Sequence, residues 1–436
     1  MSNNDTAHDV VVIGAGFAGI SAARELAAKG RRVVLLEGKD RVGGRAYTER
    51  MQGHPVELGA AWVHWSQPHV WTEITRFGLD VVADEKPVTA TFPVPGGFRT
   101  YPGPEILQRQ HDLLTRLFSG WDEYYERPHN PWYHAEKLAE VDKKSLRQAI
   151  EDLELSEEDA NLLWGWASGE SGGLAARGAL TMPAHWWALG QLELIGFDAI
   201  FNLRLVNGMQ NLAELMAADA DGVELRLNTP VATIDDSGEH VVVTTRSGER
   251  LTARSVVVAT PVNTWKSLDF TAGLPEPHLR ASRETIGVPN AVKLAIHLRG
   301  EFQGAFYSQG EEGAPIIGLF PHRVLGDGSQ LVVGFIVEED VDHTDPAAVQ
   351  AAVHHLEPGA EVLSYKFHDW GRDEFSEGGW AYRQPGQLTT MREIQAPHGR
   401  ISFANGDSAN GWSGCVDGAI ESGLRAARHV HAALAI

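Results

Sequence analysis

Residues 8–45, HDVVVIGAGFAGISAARELAAKGRRVVLLEGKDRVGGR, constrain the fold of this 436-residue chain more than any other stretch. Val10 to Ile13 form a β-branched run of the kind buried in a parallel sheet. Gly14, Gly16 and Gly19 follow at G-x-G-x-x-G spacing, and Ile20, Ala23 and Ala27 then recur on one helical face. Gly14 suits a tight turn, Gly16 lets a backbone approach a pyrophosphate, and Gly19 lets a helix pack closely on its strand. A second strand, Arg32 to Leu36, ends in Glu37, 23 residues after Gly14, where a carboxylate can accept hydrogen bonds from ribose hydroxyls. In a chain with 46 glycines the spacing alone says little. Strand, helix, second strand and acid in register together specify a dinucleotide-binding βαβ unit.

Two residues after Glu37 comes Asp40-Arg41-Val42-Gly43-Gly44-Arg45. Gly43 and Gly44 can bring backbone N–H groups near phosphate oxygens, and Arg45 can offer a charge-assisted fork to them. This segment resembles the second fingerprint of the flavin-dependent amine oxidase superfamily, where the arginine neutralises the FAD pyrophosphate. The resemblance runs through nearly the whole chain and is strongest over residues 9–62 and 400–428. Val56-Glu57-Leu58-Gly59-Ala60-Ala61-Trp62 resembles the family's E-L-G-G-x-W/Y element, which implies that Gly59, Ala60, Ala61 and Trp62 pass beside the flavin, with Ala60 in place of a glycine. His64 and Trp65, just beyond, read as packing residues that could also line a site. Asn207 to Leu212 resembles the return to the FAD domain, and the residue at Val231 is implied to offer its backbone to the adenine ring. Arg400 to Asp407 and Trp412 to Ala419 resemble the last strand and the flavin-facing helix. Asp407 is implied at the ribityl or pyrophosphate region. Gly414, Cys415 and Val416 would aim N–H groups at the flavin pyrimidine ring, where negative charge accumulates on reduction.

These likenesses imply an α/β chain in which a Rossmann-like, glutathione-reductase-like FAD-binding domain (1–83, 205–270 and 389–436) is interleaved with an α+β substrate domain (84–204 and 271–388) carrying a helical cap. Pro87, Pro93, Pro95, Gly96 and Gly97 mark the first break. Helices are expected over Glu105 to Tyr125 and Ser145 to Trp166, with Ser156 starting a new one. Strands are expected at Val231 to Ile234, Val241 to Thr245, Ser255 to Ala259 and Ala291 to Leu298. The cap is rich in aromatics (Trp121, Tyr124, Tyr125, Trp132, Tyr133, Trp164, Trp166, Trp186 and Trp187), most of them core and some able to line an apolar cavity.

Several function classes are excluded or disfavoured. A net charge of −21 argues against nucleic-acid binding, and mildly favours approach of a cationic small molecule. No stretch approaches the roughly 20 apolar residues of a membrane span, so no membrane partner is expected. The start, MSNNDTAHDV, lacks the basic-then-apolar pattern of a secretory signal. One cysteine, Cys415, precludes an internal disulfide and a cysteine-based metal cluster, so no metal is expected, and the composition fits a reducing cytoplasm. A homodimer is compatible with all of this.

For chemistry, the resemblance implies oxidation of a small amine. Hydride would pass from the carbon beside nitrogen to flavin N5; the imine would hydrolyse, and oxygen would reoxidise the flavin to give peroxide. Lys293 reads by alternation as an exposed strand lysine, yet its family position implies a catalytic role through one water at flavin N5. Trp370 and the run Phe375 to Trp380 resemble the segment that carries a covalently attached cysteine in monoamine oxidases; Gly379 stands there, so FAD is expected to be noncovalent. Family members often hold the amine between two rings, one at the Trp380 position and one where this chain has Cys415, which leaves half of a cage. The tryptophan content favours an aryl-alkyl amine. Two alternatives stand beside this reading. One is an amino-acid oxidase or desaturase of the same fold, for which Arg177, Arg204 or Arg323 would have to meet a carboxylate; the other is a flavin-binding protein without turnover. Ala259-Thr260-Pro261 with Asn263, Thr264 and Trp265 is similar to the bacterial hydroxynicotine oxidase branch.

Overall fold

The computed structural model describes residues 8–193 and 202–435. The largest sheet has eight strands. Its parallel part orders Val223–Arg226, Val33–Leu36, His8–Ile13 and the second half of Arg250–Val258, with Ile401–Phe403 on the far side. Alternation sends the side chains of His8–Ile13 and Val33–Leu36 to opposite faces. Val10, Val12, Val33 and Leu35 pack with Ile20, Ala23, Leu26, Leu212 and Ile420 from the helices Phe17–Ala28, Met209–Ala218 and Val416–Ala433. Val11, Ile13, Val34 and Leu36 face a cluster that includes Ile234 and Val243.

The strand expected over Ser255 to Ala259 begins earlier, at Arg250. Its first half pairs antiparallel with Val241–Thr245, whereas its second half runs parallel to His8–Ile13. One strand thus serves two pairings, which the polar residues Thr252 and Arg254 conceal in the sequence.

A second sheet orders seven strands: Glu361–Asp369, Val292–Arg299, Gln330–Ile336, Gly318–Val324, Phe306–Gln309, Thr89–Val94 and Gly97–Pro102. Val292, Leu294, Ile296 and Leu298 share one face, as their alternation requires, and pack with Val349 and Val353 of the helix Pro346–Leu356. The opposite face is covered as well. There Ala295 meets Met51, Val56 and Leu58 of the hairpin formed by Thr48–Met51 and His54–Glu57 and the turn after it. Lys293, expected on an exposed face, is therefore only 4% exposed.

The first helix of the cap is shorter than expected, whereas the break at Ser156 falls where the sequence places it. The first helix runs Gly103–Leu117 and stops before Gly120, whose φ of +81° turns the chain into a short 3-10 segment at Trp121–Glu123. The next stretch splits into Leu146–Glu151, capped by Ser145 with Gln148 reciprocating, and Glu157–Glu170, capped by Ser156. Trp121, Tyr125 and Trp187 are core, in keeping with the reading of most cap aromatics as packing. The helix Thr181–Leu189 completes the cap, and the helix Leu388–Ile394 starts beside the expected 388/389 boundary.

Candidate active site

One continuous cavity of about 970 Å³ connects the two sheets. One end is lined by Gly14, Gly16, Glu37, Gly44, Arg45, Thr229 and Val231, and the other by aromatic side chains. A cavity of this size suits a cofactor with a small substrate.

The glycine turn sets the first end. Gly14 has φ +99°, and a Cβ there would lie 2.8 Å from the Ala259 carbonyl oxygen. At Gly19 a Cβ would fall 1.8 Å from the Gly14 carbonyl oxygen, so the helix sits directly on the turn that precedes it. Gly16 and Gly44 face each other across backbone alone, with Gly16 as the N-cap of the helix Phe17–Ala28. This is a cradle for a pyrophosphate built from main chain. Glu37 is 6% exposed; its carboxylate accepts the Ala15 N–H at 2.7 Å and the Lys39 N–H at 2.9 Å. Burial raises its pKa against those two bonds and the charges of Lys39 and Arg41. Its remaining lone pairs suit ribose hydroxyls.

Arg45 is fixed by two contacts, donating to the Gly379 carbonyl oxygen at 2.7 Å and to Asp407 at 2.6 Å. The other Asp407 oxygen accepts the Val262 N–H at 3.1 Å. The family likeness implies that Asp407 contacts the cofactor itself. It is instead 1% exposed and absent from the cavity wall, so its side chain orients Arg45. Gly406, Gly414, Cys415 and Val416 do line the cavity, at the start of the helix Val416–Ala433. Gly59, Ala60, Ala61 and Trp62 line it too. The Ala60 N–H donates to the Arg45 carbonyl oxygen at 3.0 Å.

Lys293 lies between the two ends. Its ammonium donates to the Gly59 carbonyl oxygen at 2.7 Å and stands 4.9 Å from the Trp62 ring centre and 5.2 Å from that of Phe335. Burial pulls its pKa below the ordinary lysine range, opposed by the nearby charges of Glu57 and Asp84. Glu57 is itself pushed up by burial, although it accepts from the Met209 N–H at 2.7 Å and from Thr48 Oγ1 at 2.9 Å. Glu57 lies behind the cavity wall rather than on it and reaches Lys293 by charge alone.

The aromatic end is a chain of ring contacts. Trp380 meets Phe335 edge-on at 5.4 Å, Phe335 meets Phe320 at 5.6 Å, and Phe320 meets Tyr307 at 5.2 Å. Trp166 and Trp186 close the cap side, with the Trp186 indole N–H donating to the Ser413 carbonyl oxygen at 3.0 Å. Cys415 also lines the cavity, and burial pushes its thiol up to about 12, so it is an inert thiol. Gly379 leaves no nucleophile, and a Cβ there would lie 2.3 Å from the Ala291 methyl. Trp65, 55% exposed, lines the cavity, whereas His64 is buried.

None of Arg177, Arg204 and Arg323 reaches this cavity; Arg204 is buried against Asp84 and the His322 carbonyl oxygen. Sequence reasoning does not single out Gln110, Glu170, Tyr307, Gln309, Phe320 or Phe335, all of which line the aromatic end. They come from two helices and three strands that only the tertiary fold brings together.

Comparison with known proteins agrees with this geometry. The family model for flavin containing amine oxidoreductase matches residues 17–431. The chain is 34% identical over 425 residues to pseudooxynicotine dehydrogenase from Pseudomonas sp, covering 95% of this chain and 84% of that protein. It is 30% identical over 443 residues to (S)-6-hydroxynicotine oxidase from Paenarthrobacter nicotinovorans, covering 95% of this chain and 97% of that protein. Among solved structures, cyclohexylamine oxidase from Brevibacterium oxydans IH-35A superposes with a TM-score of 0.76 at 22% identity, over 99% of this chain and 100% of that one, which speaks for the fold. No helix among the described residues is long and apolar enough to cross a membrane. The cofactor of this chain is FAD, and with Gly379 in place of a nucleophile it is held noncovalently. The chain belongs to the flavin containing amine oxidoreductase family.

Proposed function

We propose that the protein oxidises a small aryl-alkyl amine at the carbon–nitrogen bond, releasing an imine that water hydrolyses. The observation that carries this reading is the buried Lys293, seated where the nucleotide cradle opens into the chamber walled by Trp380, Phe335, Phe320 and Tyr307. FAD, when bound, supplies the two-electron acceptor, and oxygen restores it with formation of peroxide.

The chain's own groups supply position and environment. Gly14, Gly16, Gly19 and Gly44 would cradle the pyrophosphate, Arg45 would neutralise it, Glu37 would hold the ribose and Val231 the adenine side. Asp407 is assigned the positioning of Arg45. Gly59, Ala60, Ala61, Trp62, Gly414, Cys415 and Val416 would border the flavin ring, with the helix N-terminus favouring negative charge there. The apolar rings exclude water, which favours the neutral amine needed for oxidation over its ammonium form. Trp380 would form one wall beside the substrate nitrogen and Cys415 the other, smaller side. Lys293 would hold a water at the reacting face and move a proton through Nζ. Residues 1–83, 205–270 and 389–436 are assigned to the FAD-binding domain, and 84–204 and 271–388 to the substrate domain.

An amino-acid oxidase is less well supported, because the arginines on the described cavity wall are Arg45 and Arg246, both at the nucleotide end. The relatives' names also admit a nicotine-type secondary or tertiary amine as substrate. An anaerobic panel of aryl-alkyl and N-methyl amines decides the matter. The flavin absorbance should bleach with at least one, and admitting air should restore it with peroxide release. A fully loaded protein that no amine bleaches would contradict amine oxidation.

A further inference from the structure

Glu170 is the polar group of the aromatic chamber for which the fold provides no use. It is the last residue of the helix Glu157–Glu170 and lines the cavity beside Trp166 and Gly169. The other polar side chains of that wall satisfy one another. Gln110 and Gln309 both donate to the Leu162 carbonyl oxygen, at 2.9 and 3.0 Å; Gln110 also donates to Gln309 at 2.9 Å, and Tyr307 donates to Gln309 at 3.2 Å. Among the described residues Glu170 has neither a hydrogen-bond nor an ion-pair partner. Its position is electrostatically unfavourable twice over, since a helix C-terminus carries partial negative charge and the surrounding rings do not solvate a carboxylate. Glu170 is half-buried at the cavity wall, and desolvation alone raises its pKa to about 7. An acid kept there without a structural partner is a group awaiting a ligand.

The ligand's chemistry follows from the acid. A carboxylate stabilises a cation and so keeps a nitrogen protonated. The nitrogen that is oxidised has to be neutral, so a carboxylate is a poor partner for it and a good one for a nitrogen that stays charged. We propose that Glu170 is the cation anchor of the chamber, pairing with a second, protonated nitrogen of the substrate, so that amines carrying another basic nitrogen are preferred over monoamines. This rests on reading the cavity as an amine site, and it names the substrate class of that site.

The test uses holoenzyme and two probes that cannot be oxidised because the carbon bonded to nitrogen bears no hydrogen: a tert-alkyl monoamine and the corresponding bis-tert-alkyl diamine. Binding is followed by calorimetry near pH 8. The enzyme should bind the diamine about ten- to hundredfold more tightly than the monoamine, as for one enclosed charge pair. Glu170→Gln loses no internal partner and should keep its FAD; it should abolish that preference, weakening the diamine by about ten- to hundredfold and the monoamine by less. A second arm compares the unaltered holoenzyme with Glu170→Gln across pH. Lowering the pH of the unaltered holoenzyme from about 8 to about 6 should erode the preference as the carboxyl takes up a proton, because both alkylammonium groups keep theirs. Tyr307 and Cys415 stay neutral throughout, since burial raises both, whereas Lys293, on the same cavity and pulled down to about 8, gains charge over this range and should weaken both probes; the share owed to Glu170 is the erosion of the preference that Glu170→Gln no longer shows. Equal affinity for the two probes, or a preference that survives both Glu170→Gln and acidification, would overturn the anchor. Because neither probe is oxidised, the binding result is independent of the amine panel: an enzyme that bleaches with monoamines yet ignores the second charge loses the anchor and keeps the oxidation.

Discussion

The two ends of the cavity are built by different means. The nucleotide end is local. Glycines within six residues make the turn and the helix start, Glu37 closes the second strand, and their contacts are largely main chain. The aromatic end gathers Gln110, Trp166, Glu170, Trp186, Tyr307, Phe335, Trp380 and Cys415, side chains spread over some three hundred residues. A phosphate is bound by backbone geometry, which a short motif can encode; an apolar chamber needs only volume and shape, which many residue combinations provide. Changes at the first end should therefore abolish cofactor binding, and changes at the second should re-rank substrates.

The largest effect is expected at Gly19. A methyl 1.8 Å from the Gly14 carbonyl oxygen cannot be accommodated without moving the helix off the strand. Gly19→Ala should cost about 3 kcal/mol or more of stability and leave the purified protein without FAD, measured by thermal unfolding and by flavin absorbance. Retention of FAD at normal melting temperature would remove the distinction between the two ends. Next comes Arg45→Met, which deletes the fork held by Asp407 and Gly379. FAD affinity should fall about ten- to hundredfold, as expected of hydrogen bonds to a charged group, with substrate ranking unchanged among molecules that still carry cofactor.

At the chamber end, Cys415→Tyr should supply the missing wall opposite Trp380. Bulky amines should lose about 1 to 3 kcal/mol in kcat/KM relative to slender ones, the range for overpacking, in protein verified to hold FAD. Stability and FAD lost together, with no change in the bulky-to-slender ratio, would make Cys415 a packing residue.

The smallest effect, taken per pH unit, concerns acid. His185 neighbours Trp186 in the cap, stacks on Tyr125 at 4.6 Å and contacts the Pro128 carbonyl oxygen at 2.6 Å. Burial pulls its pKa down to about 3. Its folded pKa lies below that of the unfolded chain, so between about 6.5 and about 3 the unfolded state binds more protons and stability falls as pH falls. His185→Gln should flatten that slope by at most about 1.4 kcal/mol per pH unit. Parallel slopes for the two proteins would show that His185 does not couple the cap to acid.

The same contrast explains what the sequence disclosed. The fold class and the cofactor are legible because the glycine turn, Glu37 and Arg45 carry their own geometry. Lys293 is misread from its residues alone. Alternation shows that a strand has two faces but not that a hairpin from residues 48–57 covers the second. The family likeness puts Asp407 at the cofactor, and only the fold reveals that Arg45 and Val262 occupy its carboxylate. Glu170 carries no sequence signal, because a glutamate at a helix end is ordinarily solvated.

The central claim is that both ends serve one reaction at their junction, where Lys293 sits. Stopped-flow measurement of flavin reduction by an amine under anaerobic conditions, and of its reoxidation by oxygen, in Lys293→Met and wild type tests this directly. Methionine keeps the length and removes the donor to Gly59. The prediction is a variant that still binds FAD but is slower in reduction, in reoxidation or in both; unchanged rates in both half-reactions would contradict it.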